Sequence, residues 1–337
     1  MRLKRLLLGL AGAVIGAAVL ASGSTVTFAA DYPKKPIRLI SPYDSGGAAD
    51  LAARILASTA PAYIGQGILV SNKTGAGGVT GSNYVVRSRP DGYTLLLARV
   101  GSQAGVPAIN PNIPYKWNDY TFLGLLEKNP FVLVVNSKSS FKSLKDIQTG
   151  AKAALKSGKK LTYSTGGVGT LPHIAMVMLL DEFGLPADAM THVPYKGGGK
   201  AAAALAGGHV DMFFQNLSGV IGQIRSGGLR ALCVTTPKRY SAIKDVPTVA
   251  ELGHKNLEVV VGWSALYGPP KMKQPAVKKW TAALQSIKTD KSWNKMTKKL
   301  GSIPAIMSPA DTEKFAKTQY ETFHAVAKKV GMVMKKK

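Results

Sequence analysis

Lys35-Pro36-Ile37-Arg38-Leu39-Ile40-Ser41-Pro42-Tyr43-Asp44-Ser45-Gly46-Gly47-Ala48-Ala49-Asp50-Leu51-Ala52-Ala53-Arg54 decides the fold. The apolar run around Leu39 and Ile40 has strand length, and Pro42 ends it. Gly46 and Gly47 permit a tight turn and a close backbone approach. From Ala48 the composition is helix-forming, with Asp50 in the first turn and Arg54 one turn later. The first amides of such a helix lack partners, and its dipole favours anions there. Residues 43 to 50 therefore read as one wall of a small-anion site. They also read as a plain βα turn in which Asp50 only caps the helix, and composition alone favours that plainer reading.

Outward from this stretch the same unit recurs. Gly67–Asn72 is a strand, residues 73–81 a glycine-rich turn, and Val79–Arg89 a helix. The turn Arg89-Pro90-Asp91-Gly92 then leads to strand Tyr93–Ala98. Residues 101–120, rich in Pro, Asn and Gly, read as an irregular connection. Phe131–Val135 is a strand, and Ser143 with Asp146 three residues on predicts a capped helix. The series resumes with strands Leu161–Ser164, Thr191–Val193, Val210–Phe214 and Arg230–Thr235, alternating with helices Leu171–Phe183, Gly198–Ala206 and Leu217–Arg225. A polar connector (236–257), a strand Val259–Leu266 and three amphipathic helices (275–288, 291–300, 309–329) finish the chain. Alternation of this kind predicts α/β architecture with parallel sheets, helices on both faces and ligands at the carboxyl ends of strands.

The 337 residues suffice for two modest lobes. Arg2, Lys4 and Arg5, the apolar run Leu6–Leu20 and a small-residue exit read as a secretory signal peptide cut after Ala29. The spacing of small residues disfavours a cut after Ala30, and the apolar core is short for a spanning anchor. The mature chain is expected to be soluble, exported and monomeric. Cys233 is the only cysteine and sits in a strand-like run, so it reads as a core residue and not a nucleophile. The formal charge is +26, and residues 271–337 carry sixteen lysines against four acids. Such charge suits anionic ligands or peripheral contact with an anionic membrane surface. Nucleic acid is not expected, because the basic residues do not interleave with aromatics.

Enzyme signatures are missing: there is no Gly-x-Ser-x-Gly elbow, Walker sequence or histidine pair at metal spacing. Gly75-x-Gly77 lacks the rest of a dinucleotide fingerprint, so no cofactor and no metal are expected. What remains is a set of turns offering backbone amides and hydroxyls, the equipment for holding a carboxylate. Lys196 offers a charge or is simply an exposed turn lysine. His173 reads first as a hydrogen-bonding partner within its own turn. Tyr195 either covers a ligand or packs between lobes, and Asp211 is equally a cap or a ligand group.

The motifs Tyr32-Pro33-x-Lys35-Pro36-Ile37-Arg38, Gly46-Gly47-x-x-Asp50-x-x-Ala53-Arg54, Gly75-Ala76-Gly77-Gly78 and Pro90-Asp91-Gly92-Tyr93-Thr94-Leu95 occur in order. So do Gly169-Thr170-x-x-His173, Val193-Pro194-Tyr195-Lys196-Gly197-Gly198, Gly207-Gly208-x-Val210-Asp211, Leu229-Arg230-Ala231-Leu232 and Asp245-Val246-Pro247-Thr248. Over nearly the whole mature chain this resembles the periplasmic solute-binding receptors of the tripartite tricarboxylate transporter family, the Bug receptors. The resemblance implies a two-lobed periplasmic-binding-protein fold of the type II, Venus-flytrap kind, with the ligand between lobes. Residues 31–130 plus 256–337 would form the first lobe and 131–255 the second. It implies a carboxylic acid as ligand, a two-component integral membrane permease as partner, and no catalysis. The implied ligand contacts are Tyr43, Asp44, Ser45, Gly46, Gly47 and Asp50, with Ala76, Gly77 and Gly78 beside them. Opposite would lie Thr165, Gly166, Gly167, Thr170, His173, Tyr195, Lys196, Gly197, Gly198 and Gln215. Two positions depart from the pattern: Asp44-Ser45 stand where two prolines are usual, and Gln215 where an Asp is frequent. An inward carboxylate would repel a ligand carboxylate. Asp44 is therefore expected either to face solvent or to recognise an amino or amide group. A ligand sensor for a membrane kinase and an exported enzyme are the alternative functions.

Overall fold

A computed structural model describes residues 32–336, so the expected signal peptide lies outside the described residues. The opening stretch folds as read. Strand β1 (Ile37–Ser41) runs into a turn and helix α1 (Ala48–Thr59), followed by a single helical turn α2 (Pro61–Ile64) and β2 (Ile68–Asn72). Helix α3 (Val79–Val86), β3 (Thr94–Arg99), α4 (Val106–Ile109) and β4 (Thr121–Asn129) follow. The middle of the chain supplies β5 (Phe131–Asn136), α5 (Leu144–Lys156), β6 (Thr162–Thr165), α6 (Leu171–Glu182), β7 (Thr191–Pro194) and α7 (Gly198–Ala206). It continues through β8 (Met212–Asn216), α8 (Ile221–Arg225) and β9 (Leu229–Val234). The last segment adds β10 (Gly262–Gly268), α9 (Gln274–Ile287), α10 (Lys291–Lys299), β11 (Ile303–Pro304) and α11 (Pro309–Lys329).

These strands form two sheets, ordered β11-β4-β10-β3-β1-β2 and β7-β6-β8-β5-β9. The chain thus crosses from the first sheet to the second at Pro130 and returns after β9. At the crossovers Thr235, 1% exposed, accepts a hydrogen bond from the Phe131 amide at 3.1 Å and donates one to the Val260 carbonyl at 2.9 Å. One side chain therefore clasps both connecting strands. The interior strands read as continuous apolar runs because helices cover both faces. Leu39 and Ile40 of β1 and Leu95–Leu97 of β3 are all essentially inaccessible. Cys233 is also fully buried, and burial pushes its thiol up to about 12, as befits a core residue. Ser143 and Asp146 form the expected reciprocal cap on α5.

Three expectations need correction. The sheets are mixed and not parallel, because β4 and β10 run antiparallel to their neighbours in the first sheet and β5 does so in the second. Crossing between sheets reverses the strand direction, which a purely parallel winding does not allow. Strand β4 has no counterpart in the sequence reading. Its end, Glu127-Lys128-Asn129, has poor strand propensity, yet it lies between β10 and β11 with Glu127 buried. Finally, residues 101–109 are helical: a π-helical turn (Gly101–Gly105) continues into α4. Gly101 and Gly105 look like helix breakers but are there for space. A Cβ would stand 2.7 Å from the Tyr43 hydroxyl at the first and 2.6 Å from the Gly169 carbonyl at the second.

Candidate functional site

Between the two sheets lies a small cavity of about 50 Å³, enough for a handful of waters. Three helix N-termini converge on it: Gly47, Ala48 and Ala49 from α1, Thr170, Leu171 and Pro172 from α6, and Gly198 from α7. Aligned dipoles make each of these ends attractive to negative charge, and at α7 an acid of the protein already takes two of the first amides. Tyr43, Arg99, Val100, Gly101, Gly166, Gln215 and Asn216 complete the wall.

Tyr43 is held by a hydrogen bond from its hydroxyl to the Gly77 carbonyl at 2.9 Å. Burial pushes its phenol up to about 12, against an opposing pull from Arg99. The turn that supplies Gly77 has positive φ at four successive residues, Gly75 to Gly78. The glycines at 77 and 78 are needed twice over. Left-handed backbone costs a side-chain-bearing residue about 1–2 kcal/mol, and a Cβ on Gly77 would stand 2.9 Å from the Val168 carbonyl, which follows β6 of the second sheet.

Of the expected contacts, Tyr43, Gly47, Gly166, Thr170, Gly198 and Gln215 line the cavity. Ala76, Gly77, Gly167, Tyr195 and Lys196 line instead a wider groove of about 840 Å³ beside it. Gly78 packs on Tyr43 and Ser102. Ser45 and Gly46 are exposed, and Gly46 borders another groove along α1. Asp50 does not reach the cavity. Its carboxylate accepts the Gly46 amide at 3.0 Å, Asn72 at 3.0 Å and Arg54 at 2.8 Å, knitting the turn from below. Burial alone would raise this acid, but the bonds from Arg54, Gly46 and Asn72 outweigh it and hold it below the usual range. Asp50 thus secures the turn that precedes α1, while among the described residues no side chain caps the helix itself. Asp211 likewise binds the Thr162 amide and hydroxyl, both at 2.7 Å, tying β8 to β6.

Asp44 does not face solvent, the first of the two outcomes expected of it. It is 7% exposed, and its carboxylate accepts the Lys200 amide at 2.9 Å and the Gly199 amide at 3.4 Å. An acid that follows β1 of the first sheet therefore caps α7, which follows β7 of the second. Gly197 makes this approach feasible, since a Cβ there would overlap the Asp44 carboxylate.

Thr165 and His173 act beneath the turn that carries Gly166 and Gly167. His173 Nδ1 accepts the Gly169 amide at 3.1 Å, the local role read from the sequence. Its ring stacks on His192 at 4.1 Å, and His192 in turn stacks on Tyr163 at 5.0 Å and hydrogen-bonds Thr165 at 2.6 Å. Burial, reinforced by the neighbouring His192, pulls His173 down to about 3, and burial pulls His192 to about 4. The unfolded chain binds these protons near pH 6.5. Stability from keeping both rings neutral is therefore complete above pH 6.5 and is lost as pH falls toward 4. Between pH 7 and 5 the pair is expected to cost about 2–3 kcal/mol after allowing for partial exposure. Thermal melts of wild type and a His173→Phe/His192→Phe variant check this, and the variant should show the flatter pH profile.

The sequence reading missed Arg99, which closes the apolar strand Thr94-Leu95-Leu96-Leu97-Ala98-Arg99 and is 3% exposed. A lone cation at the carboxyl end of a buried parallel strand was the available signal. Arg99 Nη1 donates to Ser264, which donates to Glu127 at 2.7 Å; Nη1 and Glu127 lie 3.6 Å apart. Burial pulls the guanidinium pKa down, and Glu127 and Tyr43 push it back. Asn216, Val100, Leu171 and Pro172 were also missed.

Two mixed α/β sheets joined by two crossovers, with helix N-termini facing one cleft, give the two-lobed fold of the periplasmic binding proteins. The chain belongs to the tripartite tricarboxylate transporter family of receptors, whose model matches residues 52–332. It is 33% identical to protein BugT of Bordetella pertussis over 330 residues, 96% of this chain and 98% of that one. The structure of the periplasmic binding protein BugD superposes with a TM-score of 0.83 at 28% identity, covering 90% of this chain and 100% of BugD. An R. palustris protein solved with adipate gives a TM-score of 0.83 at 25% identity, over 89% and 99% of the two chains.

Proposed function

We propose that this protein is an exported receptor that captures a small organic carboxylate between its lobes. It then hands the acid, chemically unchanged, to a two-component membrane permease. The observation that carries this reading is the convergence of the α1 and α6 N-termini and Arg99 on one cavity, beside an α7 end already capped by Asp44. A carboxylate there exchanges water for charge-assisted hydrogen bonds from both lobes. Membership of a transporter receptor family and the adipate bound to one relative support the same reading. The lobes would part at Pro130 and in the 235–261 connection, with ligand shifting the population from open to closed.

A thermal-shift panel of mono-, di- and aromatic carboxylates at pH 7 tests it. Ligand at a hundred times its Kd adds about 2.7 kcal/mol, so at least one acid should raise the melting temperature by several degrees. Mass detection should return that acid intact, and a strain lacking the receptor should cease to import it. A flat panel, or a chemically altered acid, overturns the reading.

A further inference from the structure

We infer that Gln215 determines specificity: its side-chain amide donates a hydrogen bond to a second oxygen of the ligand, beyond the carboxylate held at Arg99. The ligand is then an acid that also carries a keto, hydroxyl or further carboxylate oxygen. This deepens the carboxylate-receptor reading and rests on it.

The orientation of the amide follows from its neighbour. Gln215 is 3% exposed, and its Oε1 accepts the Asn216 main-chain amide at 2.7 Å and Asn216 Nδ2 at 3.0 Å. A main-chain N–H can only donate, so the atom facing it is the oxygen; a flipped amide would set donor against donor. Nε2 is thereby turned away from Asn216. Among the described residues it donates to no protein group, whereas donors in side chains this buried are as a rule paired. Nε2 keeps its access to the cavity that Gln215 lines, while Asn216 Oδ1 is sealed off beside Gly262. Asn216 therefore holds the amide in place, and Gln215 presents it.

The surroundings decide what this donor can meet. Nε2 lies against the first turn of α7, where a Cβ on Gly198 would overlap it, so glycine there opens the approach. Two main-chain donors of that turn go to Asp44, and Gln215 supplies a side-chain donor beside them. An amide nitrogen donates and does not accept, so it pairs with an oxygen. Arg99 closes β3 in the first sheet and Gln215 sits in β8 of the second, with the cavity between the sheets. The two donors thus approach the ligand from different sides. An acid without a second oxygen leaves the Gln215 donor desolvated and unpaired, which costs affinity.

The test is calorimetric titration of the mature protein at pH 7 with three matched pairs: propionate and pyruvate, butyrate and succinate, 3-phenylpropionate and phenylpyruvate. In at least one pair wild type should bind the acid with the second oxygen about tenfold more tightly. Gln215→Met removes the donor at similar volume and should erase most of that difference by weakening the acid with the second oxygen. Gln215→Glu keeps the oxygen that Asn216 binds and turns the outward donor into an acceptor. Under it, too, the acid with the second oxygen should lose more than its plain match. This variant decides the matter where Gln215→Met does not fold. A preference that survives both substitutions, no preference in wild type, or silence toward all six acids overturns the role of Gln215. The receptor reading then stands if the wider thermal-shift panel still contains a binder, and falls if it does not.

Discussion

Glu127→Ala is expected to destabilise the protein by about 3 kcal/mol or more, the low end of the range for breaking a buried ion pair. The reason lies in what is left behind. Arg99 and Glu127 are 3% and 2% exposed, and removing the acid strands a desolvated guanidinium whose hydrogen-bond partner among the described residues is Ser264. The low end applies because the two charges meet through Ser264 at 3.6 Å and not through a bidentate contact. Replacing both partners by apolar residues of similar volume, Arg99→Met with Glu127→Leu, should recover most of the loss, since the desolvation cost then vanishes with the charges. Urea unfolding of the three forms measures this. A loss below about 1 kcal/mol for Glu127→Ala would mean that Arg99 is balanced by solvent instead. A carboxylate ligand should also stabilise Glu127→Ala more than wild type, because it restores a counter-ion to the stranded cation.

The same pair shows where sequence reading stops. Strand β1, its turn and α1 were legible because an apolar run of strand length, bounded by Pro42 and the glycines, has few other solutions. The glycine turns at 75–78 and 166–169 were legible too, since backbone proximity demands glycine whatever the ligand. Side-chain direction was not. Asp44 and Asp50 sit six residues apart on one turn; one reaches across to α7 and the other folds back onto Gly46, Asn72 and Arg54. Nothing in their spacing separates those outcomes. Glu127 and Arg99 are 28 positions apart in sequence and meet only because β10 lies between their strands, bringing Ser264 to both. Long-range pairing of this kind leaves no local trace, so the sequence gives no sign that these two charges are buried together.

Gly197→Val is expected to separate stability from binding. Gly197 has φ near 172°, extended backbone that any residue adopts, so the open form should fold without strain. In the closed form the added Cβ overlaps the Asp44 carboxylate and stands 2.9 Å from the Asp44 main-chain nitrogen. Rotating Asp44 relieves the first conflict but not the second, which yields only if the lobes move apart. A closed-state penalty of about 3 kcal/mol lowers the competent population, and with it the apparent affinity, about a hundredfold. The ligand-free melting temperature should stay within about 2 °C of wild type, while X-ray scattering with ligand keeps the larger radius of the open form. Gly46→Ala supplies the opposite signature. It has φ +78° and no neighbour within 4 Å of a new Cβ, so it should lose about 1–2 kcal/mol of stability to left-handed backbone and keep its affinity. Undiminished binding by Gly197→Val would show that the ligand is held by one lobe alone. The contact between Asp44 and α7 would then have no part in capture.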